Sequence, residues 1–328
     1  MQPTQRTICA EQGTLTTLST SYHLAQSPAV VSLIGGTPLV PLSRAVVGAK
    51  LPPTITIAAK LEGFNPGGSV KDRPALSIVC QALRSGELGP GRVLLDATSG
   101  NTGIAYALLG AALHFPVHLV LPANASPERV QILRAYGAEL TLSDPQGGTD
   151  GARALAREMI AAAPGRYFYA DQYNHPANPL AHYCTTGPEI WQQTGGQITH
   201  FVAGMGTSGT MMGVGRYLKE QNPTIRLIGV QPTSALDGIE GLRHLATASP
   251  VSVYEPDLVD QTIEVSSASA QATARRLARQ EGLFVGLSAG AAVAAALQVG
   301  QELTAGYVVA LLPDGGFKYA SAPFWLEP

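Results

Sequence analysis

Val93-Leu94-Leu95-Asp96-Ala97-Thr98-Ser99-Gly100-Asn101-Thr102-Gly103 changes character halfway along. The first half is a short, mostly apolar run, the pattern of a strand covered on both faces. The second half sets two glycines among small hydroxyl and amide side chains, and an apolar helical stretch follows through Leu109. Strand, tight turn and helix in that order make the repeating step of an α/β protein with a parallel sheet. The step recurs on both sides. Ile55 to Leu61 reads as a strand, and the apolar positions Ala75, Leu76, Ile78, Val79 and Leu83 mark a helix that Lys71 opens. Val117 to Leu121 is a strand, and Ser126-Pro127-Glu128 supplies an N-cap and an N1 proline for a helix ending near Gly137. Glu139 to Ser143 then reads as a strand and Gly151 to Ala163 as a helix. Further strands are predicted at Tyr167 to Ala170, Thr199 to Ala203, Ile225 to Val230, Leu283 to Val285 and Tyr307 to Leu312. The predicted fold class is α/β, doubly wound, with two sheets.

Bulk properties narrow the functions. The 328 residues suffice for two domains, and 45% apolar against 13% charged residues describes a chain with a large buried core. A net charge of -2 without a basic cluster disfavours nucleic acid and anionic membranes as partners. Cys9, Cys80 and Cys184 are widely spaced and form no CxxC, so neither a disulfide framework nor a metal site is expected, and a cytoplasmic location fits. The uncharged window from Gly103 to Leu121 contains His114, Pro116 and His118 and divides into a helix and a strand; no membrane span is expected.

In doubly wound sheets ligands bind beyond the carboxyl ends of strands, where helix N-termini present N–H groups. Three turns there have unusual chemistry. Thr98 to Gly103 could wrap a carboxylate, Gly204-Met205-Gly206-Thr207-Ser208-Gly209-Thr210 forms a glycine and hydroxyl cup of phosphate size, and Gly286-Leu287-Ser288-Ala289-Gly290 sets one hydroxyl at a helix start. Any one of them alone also reads as an ordinary capped turn. The second turn matches GxGxxG, but Gln231 closes the next strand where a ribose-binding acid belongs, which disfavours a nicotinamide site. The third matches GxSxG, yet the last histidine, His244, precedes Ser288, so no Ser–Asp–His order can be assembled.

Asn65-Pro66-Gly67-Gly68-Ser69-Val70-Lys71-Asp72-Arg73 adds the nucleophile. Its glycines allow close approach of the backbone to a ligand, and the dipole of the following helix opposes the charge on Lys71. A lysine held neutral is competent to form a Schiff base. Pyridoxal phosphate needs an amine for its aldehyde, an anion cup for its phosphate and a partner for its ring nitrogen; an amino-acid substrate needs a carboxylate cradle. Lys71, Gly206 to Thr210, Ser288 and Thr98 to Thr102 supply these in turn.

With these stretches in place, the chain resembles the cysteine synthase (O-acetylserine sulfhydrylase) family of fold-type II pyridoxal-phosphate enzymes. The resemblance runs from about Val31 to Tyr319 and includes Gly36-Thr37-Pro38-Leu39, Asn65 to Pro74, Thr98 to Gly103, Asp171-Gln172-Tyr173-Asn174 and Gly206 to Thr210. Ala181-His182-Tyr183, Thr186 to Gly196 and Ile198 to Val202 resemble the cysteine synthase B branch. The resemblance implies two doubly wound domains with the cofactor in the cleft between them. Residues 1–27 would be a flexible tail, 28–62 with 165–328 the larger domain that binds the cofactor phosphate, and 63–164 a smaller mobile domain.

It further implies that Lys71 is the catalytic lysine and covalent anchor. Asn101 would bind the ring 3′-oxygen, Gly206, Thr207, Ser208, Gly209 and Thr210 the phosphate, and Ser288 the pyridine nitrogen. Thr98, Ser99, Thr102 and Gln172 would hold the substrate carboxylate. The implied reaction is β-replacement through an α-aminoacrylate, converting O-acetyl-L-serine and sulfide, or thiosulfate, to L-cysteine or S-sulfocysteine and acetate. A homodimer is implied as well. Departures from the family pattern are Gly36 in place of an asparagine, and Gly241-Leu242-Arg243-His244 where relatives that accept thiosulfate carry paired arginines and a tryptophan. No arginine stands near Thr233, which disfavours O-phosphoserine. Asp314 is expected to cap a helix. Rival readings are a cystathionine β-synthase-type condensation and a catalytically silent relative that binds partners.

Overall fold

A computed structural model describes residues 29–45, 49–98 and 100–326. The tail 1–27 with Cys9, and Ser99 in the carboxylate turn, lie outside the described residues. Two sheets carry the chain. The larger joins β1 (Leu39–Pro41), β2 (Ile55–Leu61), β10 (Gly306–Leu312), β7 (His200–Gly204), β8 (Arg226–Pro232) and β9 (Gln261–Val265) in that spatial order. The smaller has the order β5 (Glu139–Ser143), β4 (Val117–Pro122), β3 (Val93–Ala97) and β6 (Tyr167–Tyr169). Only β1 runs antiparallel to its neighbour among these paired strands.

The central strands are as apolar as helix-covered parallel strands must be. All six residues of β4 are buried, and Leu94 and Leu95 of β3 have no exposed surface. Each such leucine contributes about 1.5–3 kcal/mol by leaving water. The helix Asn101–Leu113 is buried over most of its length, and His114, in a left-handed conformation at φ 60°, ends it before β4. The Gly103 to Leu121 window is therefore a helix and a strand, and no helix among the described residues is long and apolar enough to cross a membrane. Ser126 accepts a hydrogen bond from the Arg129 N–H at 3.4 Å and Pro127 occupies the first turn, so Pro127–Ala135 starts where its sequence signal stands.

Three expectations need correction. Leu283 to Val285 does not form a strand; Val285 makes a single antiparallel bridge to Gly315, because the chain turns at once into the helix Leu287–Glu302. The edge strand β9 is missing from the sequence reading: only Ile263 and Val265 of its five residues are buried, too little apolar signal to read. Cys80 is a free, half-buried thiol that burial pushes up to about 11. The smaller sheet also reaches past residue 164, since β6 pairs with β3 from Val93↔Tyr167 to Leu95↔Tyr169.

Candidate active site

Each sheet has one point where the strand order reverses, and the two points face one cleft. In the smaller sheet the chain proceeds outward from β3 to β4 and β5, then returns to β6 on the other side of β3. In the larger it proceeds from β7 to β8 and β9, then returns to β10 on the other side of β7. Such switch points open a crevice at the carboxyl ends of the strands. Thr98, Asn101, Thr102 and Gln172 follow β3 and β6, whereas Gly206, Thr207, Ser208, Thr210 and Pro313 follow β7 and β10; all line a single cavity together with Lys71 and Ser288. Of the predicted site residues, Gly209 lies just outside the lining and Ser99 outside the described residues.

Lys71 is held by a loop pinned to the end of β10. The Val70 N–H donates to the Pro313 carbonyl at 2.7 Å, and Ser69 bridges to Asp314. Gly68 needs its positive φ of 74°, and a Cβ on Gly67 would fall inside the Asp72 carboxylate that accepts the Gly67 N–H at 2.5 Å. These constraints place Lys71 at the N-cap of Asp72–Ser85, one position before the predicted first turn. Burial in the cleft lowers the pKa of Lys71 and nearby Lys318 lowers it further, while Asp314 opposes both. The net effect favours the neutral amine.

Below that loop lies a closed cluster of charges. Arg73 pairs with Glu62 at 2.7 Å and with Glu189 at 2.7 Å, and Lys60 pairs with Glu189 at 2.6 Å. Thr37 donates to Glu62 at 2.7 Å and Asn65 donates to it at 2.9 Å. Burial works against the charge on Glu189, but Arg73 and Lys60 outweigh it and hold the carboxyl at about 2. Gly36, at φ 59°, donates its N–H to Glu189 at 3.0 Å, so this departure from the family pattern touches the charge cluster.

The cup at the start of Gly209–Gln221 fits an anion. Ser208 is only 2% exposed, takes a left-handed φ of 65°, and buries a hydroxyl that no protein group meets. An orphaned donor in a strained turn at a helix N-terminus signals room for a ligand oxygen. Behind it, Asn178 donates to the Thr207 hydroxyl at 3.0 Å, an approach that only a residue without a Cβ at Gly209 permits. Thr210 Oγ1 lies 3.3 Å from His182 Nε2, and His182 Nδ1 lies 2.9 Å from the Thr186 hydroxyl. Burial first, then Arg73 and Lys71, drive the His182 pKa well down and keep the ring neutral.

On the opposite wall, Thr102 donates to Gln172 Oε1 at 2.8 Å, and both are buried. Asn101 is bound at both ends of its amide: its Nδ2 donates to Asp314 at 2.7 Å, and its Oδ1 accepts from Lys318 at 2.6 Å. Asp314 also accepts from the Tyr319 hydroxyl at 2.5 Å, while its Oδ1 has no partner. Asp314 is therefore not a helix cap; the following 3-10 turn, Gly316–Tyr319, has Gly315 at its cap with no side-chain bond. Arg129 from the smaller sheet's layer pairs with Glu240 across the mouth of the cavity and lies 5.1 Å over the Tyr319 ring.

Sequence reasoning did not single out Asn178, His182, Lys318 or the Arg129–Glu240 pair. Asn178 and His182 stand four apart, a spacing that shares a helix face, and this was the one signal available. Lys318 and Glu240 lie in irregular segments with no periodicity to read.

The protein-family model that matches residues 30–314 is described as pyridoxal-phosphate dependent enzyme. The chain is 51% identical over 302 residues to the cysteine synthase of Aquifex aeolicus, covering 91% of this chain and 92% of the relative. It is 47% identical to cysteine synthase B of Escherichia coli, covering 88% and 93%. The crystal structure of cysteine synthase (OASS) from Entamoeba histolytica superposes with a TM-score of 0.87 at 35% identity, covering 91% of this chain and 90% of that one. Those matches span both sheets and every turn of the cleft, and the chain belongs to the cysteine synthase family of pyridoxal-phosphate dependent enzymes.

Proposed function

We propose that this protein is a cysteine synthase that converts O-acetyl-L-serine and sulfide to L-cysteine and acetate. The observation that carries the reading is the convergence, in one cavity, of a lysine biased toward its neutral form, an orphaned hydroxyl at a phosphate-sized cup, and a buried Thr102–Gln172 pair. Pyridoxal phosphate supplies, when bound, an aldehyde that captures the amino group and a ring that accepts the electron pair released at the substrate Cα.

The side chains around it have separable tasks. Lys71 Nζ would hold the cofactor covalently at rest, then take the Cα proton of the donor and later return it. Gly206, Thr207, Ser208, Gly209 and Thr210 would bind the phosphate, and the neutral His182 supports Thr210 from behind. Ser288, 6% exposed at the start of Leu287–Glu302, would be the neutral partner of the pyridine nitrogen. Thr98, Ser99, Thr102 and Gln172 would hold the substrate carboxylate; the bond from Thr102 occupies Gln172 Oε1 and leaves Nε2 to donate to that carboxylate. Acetate departs from Cβ and hydrosulfide adds there, while the smaller domain excludes water. The family resemblance extends this reading to a cytoplasmic homodimer, which sedimentation and cell fractionation test.

A donor-by-acceptor activity matrix is the direct test. O-acetylserine with sulfide is expected to give the highest kcat/KM against O-phosphoserine, serine, thiosulfate and homocysteine. A higher value for serine with homocysteine would replace the reading by cystathionine synthesis, and no turnover in any cell of the matrix would favour a silent binding protein.

A further inference from the structure

Lys318 lies outside the cavity lining, yet its ammonium reaches both the Lys71 loop and the helix start at Asn101. It donates to the Gly68 carbonyl in the Lys71 loop at 3.1 Å and to Asn101 Oδ1 at 2.6 Å. An asparagine amide has an acceptor end and a donor end carrying two hydrogens, and it can turn over to exchange them. Here the two ends meet opposite charges. Burial lowers the Lys318 pKa while Asp314 and Asp72 oppose it; as an ammonium Lys318 can only donate, and the Asp314 carboxylate 2.7 Å from Nδ2 can only accept. Turning the amide would set its NH2 against an ammonium and its oxygen against a carboxylate, losing two charge-assisted hydrogen bonds at once. Asp314 engages one amide hydrogen, which leaves the other for a ligand in the cavity that Asn101 lines.

We propose that Lys318 is the positioning residue for Asn101: it fixes the amide so that its second N–H is offered to the 3′-oxygen of the cofactor. The inference rests on the reading of Asn101 as a cofactor ligand. It also ties the far C-terminal turn, Gly316–Tyr319, to the helix Asn101–Leu113 of the smaller sheet's layer, which explains why a residue after the last strand matters to the site.

Titrating pyridoxal phosphate into apoprotein, with the visible band and the cofactor Kd as readouts and apoprotein melting as control, tests it. Losing one charge-assisted bond, Lys318→Met is expected to weaken cofactor binding about tenfold and to shift the visible band. Lys318→Arg, which still donates, should bind within about twofold of the parent. Because Lys318 acts through Asn101, adding Lys318→Met to Asn101→Ala should weaken binding no further. Parent-like binding by Lys318→Met, binding by Lys318→Arg as weak as by Lys318→Met, or additive losses in the double variant would each overturn the inference. If Lys318→Met lowers the apoprotein melting temperature, Lys318→Leu, which cannot donate either, carries the test at a temperature where its apoprotein and the parent's are both folded: weaker binding supports the inference and parent-like binding overturns it. Asn101→Ala separates the two layers. Parent-like binding by that variant removes Asn101 as a cofactor ligand, whereas weak binding by it with parent-like Lys318→Met removes only the role of Lys318.

Discussion

Two polar clusters flank Lys71, and they differ in how completely they are satisfied. Beneath the loop, Arg73, Glu62, Glu189, Lys60, Thr37 and Asn65 meet one another at hydrogen-bond distance, and neither Glu62 nor Lys60 has exposed surface. On the other side, Ser208 Oγ in the cavity lining and Asp314 Oδ1 next to Asn101 are buried and meet no protein partner, and Ser208 holds a left-handed backbone as well. A folded chain tolerates orphaned polar atoms at a cost of about 1–3 kcal/mol each. The closed cluster is thus scaffolding, and the open one is built for a ligand. The contrast teaches that burial and charge alone do not mark a site. What marks this one is an unmade bond at a helix N-terminus in the wall of the cavity that Lys71 also lines.

The sharpest way to break this contrast is at the residue between the clusters. Lys71→Ala is expected to lower turnover by at least about a thousandfold, through loss of both nucleophile and base, while leaving apoprotein unfolding unchanged. Steady-state kinetics and urea titration check the two halves. Arg73→Met should do the reverse. It strands Glu62 and leaves Glu189 with Lys60 alone, and the expected loss of about 3–5 kcal/mol is read from the urea midpoint of the apoprotein.

Asp96, below the carboxylate turn, gives a pH-dependent effect. Burial raises it to about 7, partly offset by the Ala97 N–H. That exceeds the ~3.9 of an unfolded aspartate, so folding favours the protonated form, and this contribution is full below that value and lost as pH rises through about 7. Asp96→Asn should therefore stabilise the protein at pH 8 by on the order of 1–3 kcal/mol and confer little at pH 4, measured by melting at both. The smallest effect is at the cup. Ser208→Gly relieves the φ of 65° and removes the orphaned hydroxyl, so the apoprotein should gain about 1 kcal/mol and bind cofactor about tenfold more weakly. Tighter binding with a less stable apoprotein would reverse the assignment of that cluster.

Much of the framework was legible in the sequence because it rests on local rules. Apolar runs such as β4, the Ser126-Pro127 start and the glycines of the Lys71 loop each declare a conformation within a few residues. What escaped depends on tertiary placement. β9 buries two side chains at a sheet edge, and Leu283 to Val285 has strand composition but no neighbour to pair with beyond one bridge. Asp314 looked like a cap because an aspartate followed by glycines is one locally; its partners, Asn101 and Tyr319, lie 213 and 5 residues away in the chain. Lys318 has the same history, 217 residues from the amide it holds.

The central claim is that Lys71 alone among the lysines holds the cofactor. Borohydride reduction of the cofactor-loaded protein, followed by peptide mass mapping, measures that directly. The account predicts a pyridoxyl adduct on the peptide carrying Lys71 and on no other. An adduct on Lys60 or Lys318, or none at all, would contradict it.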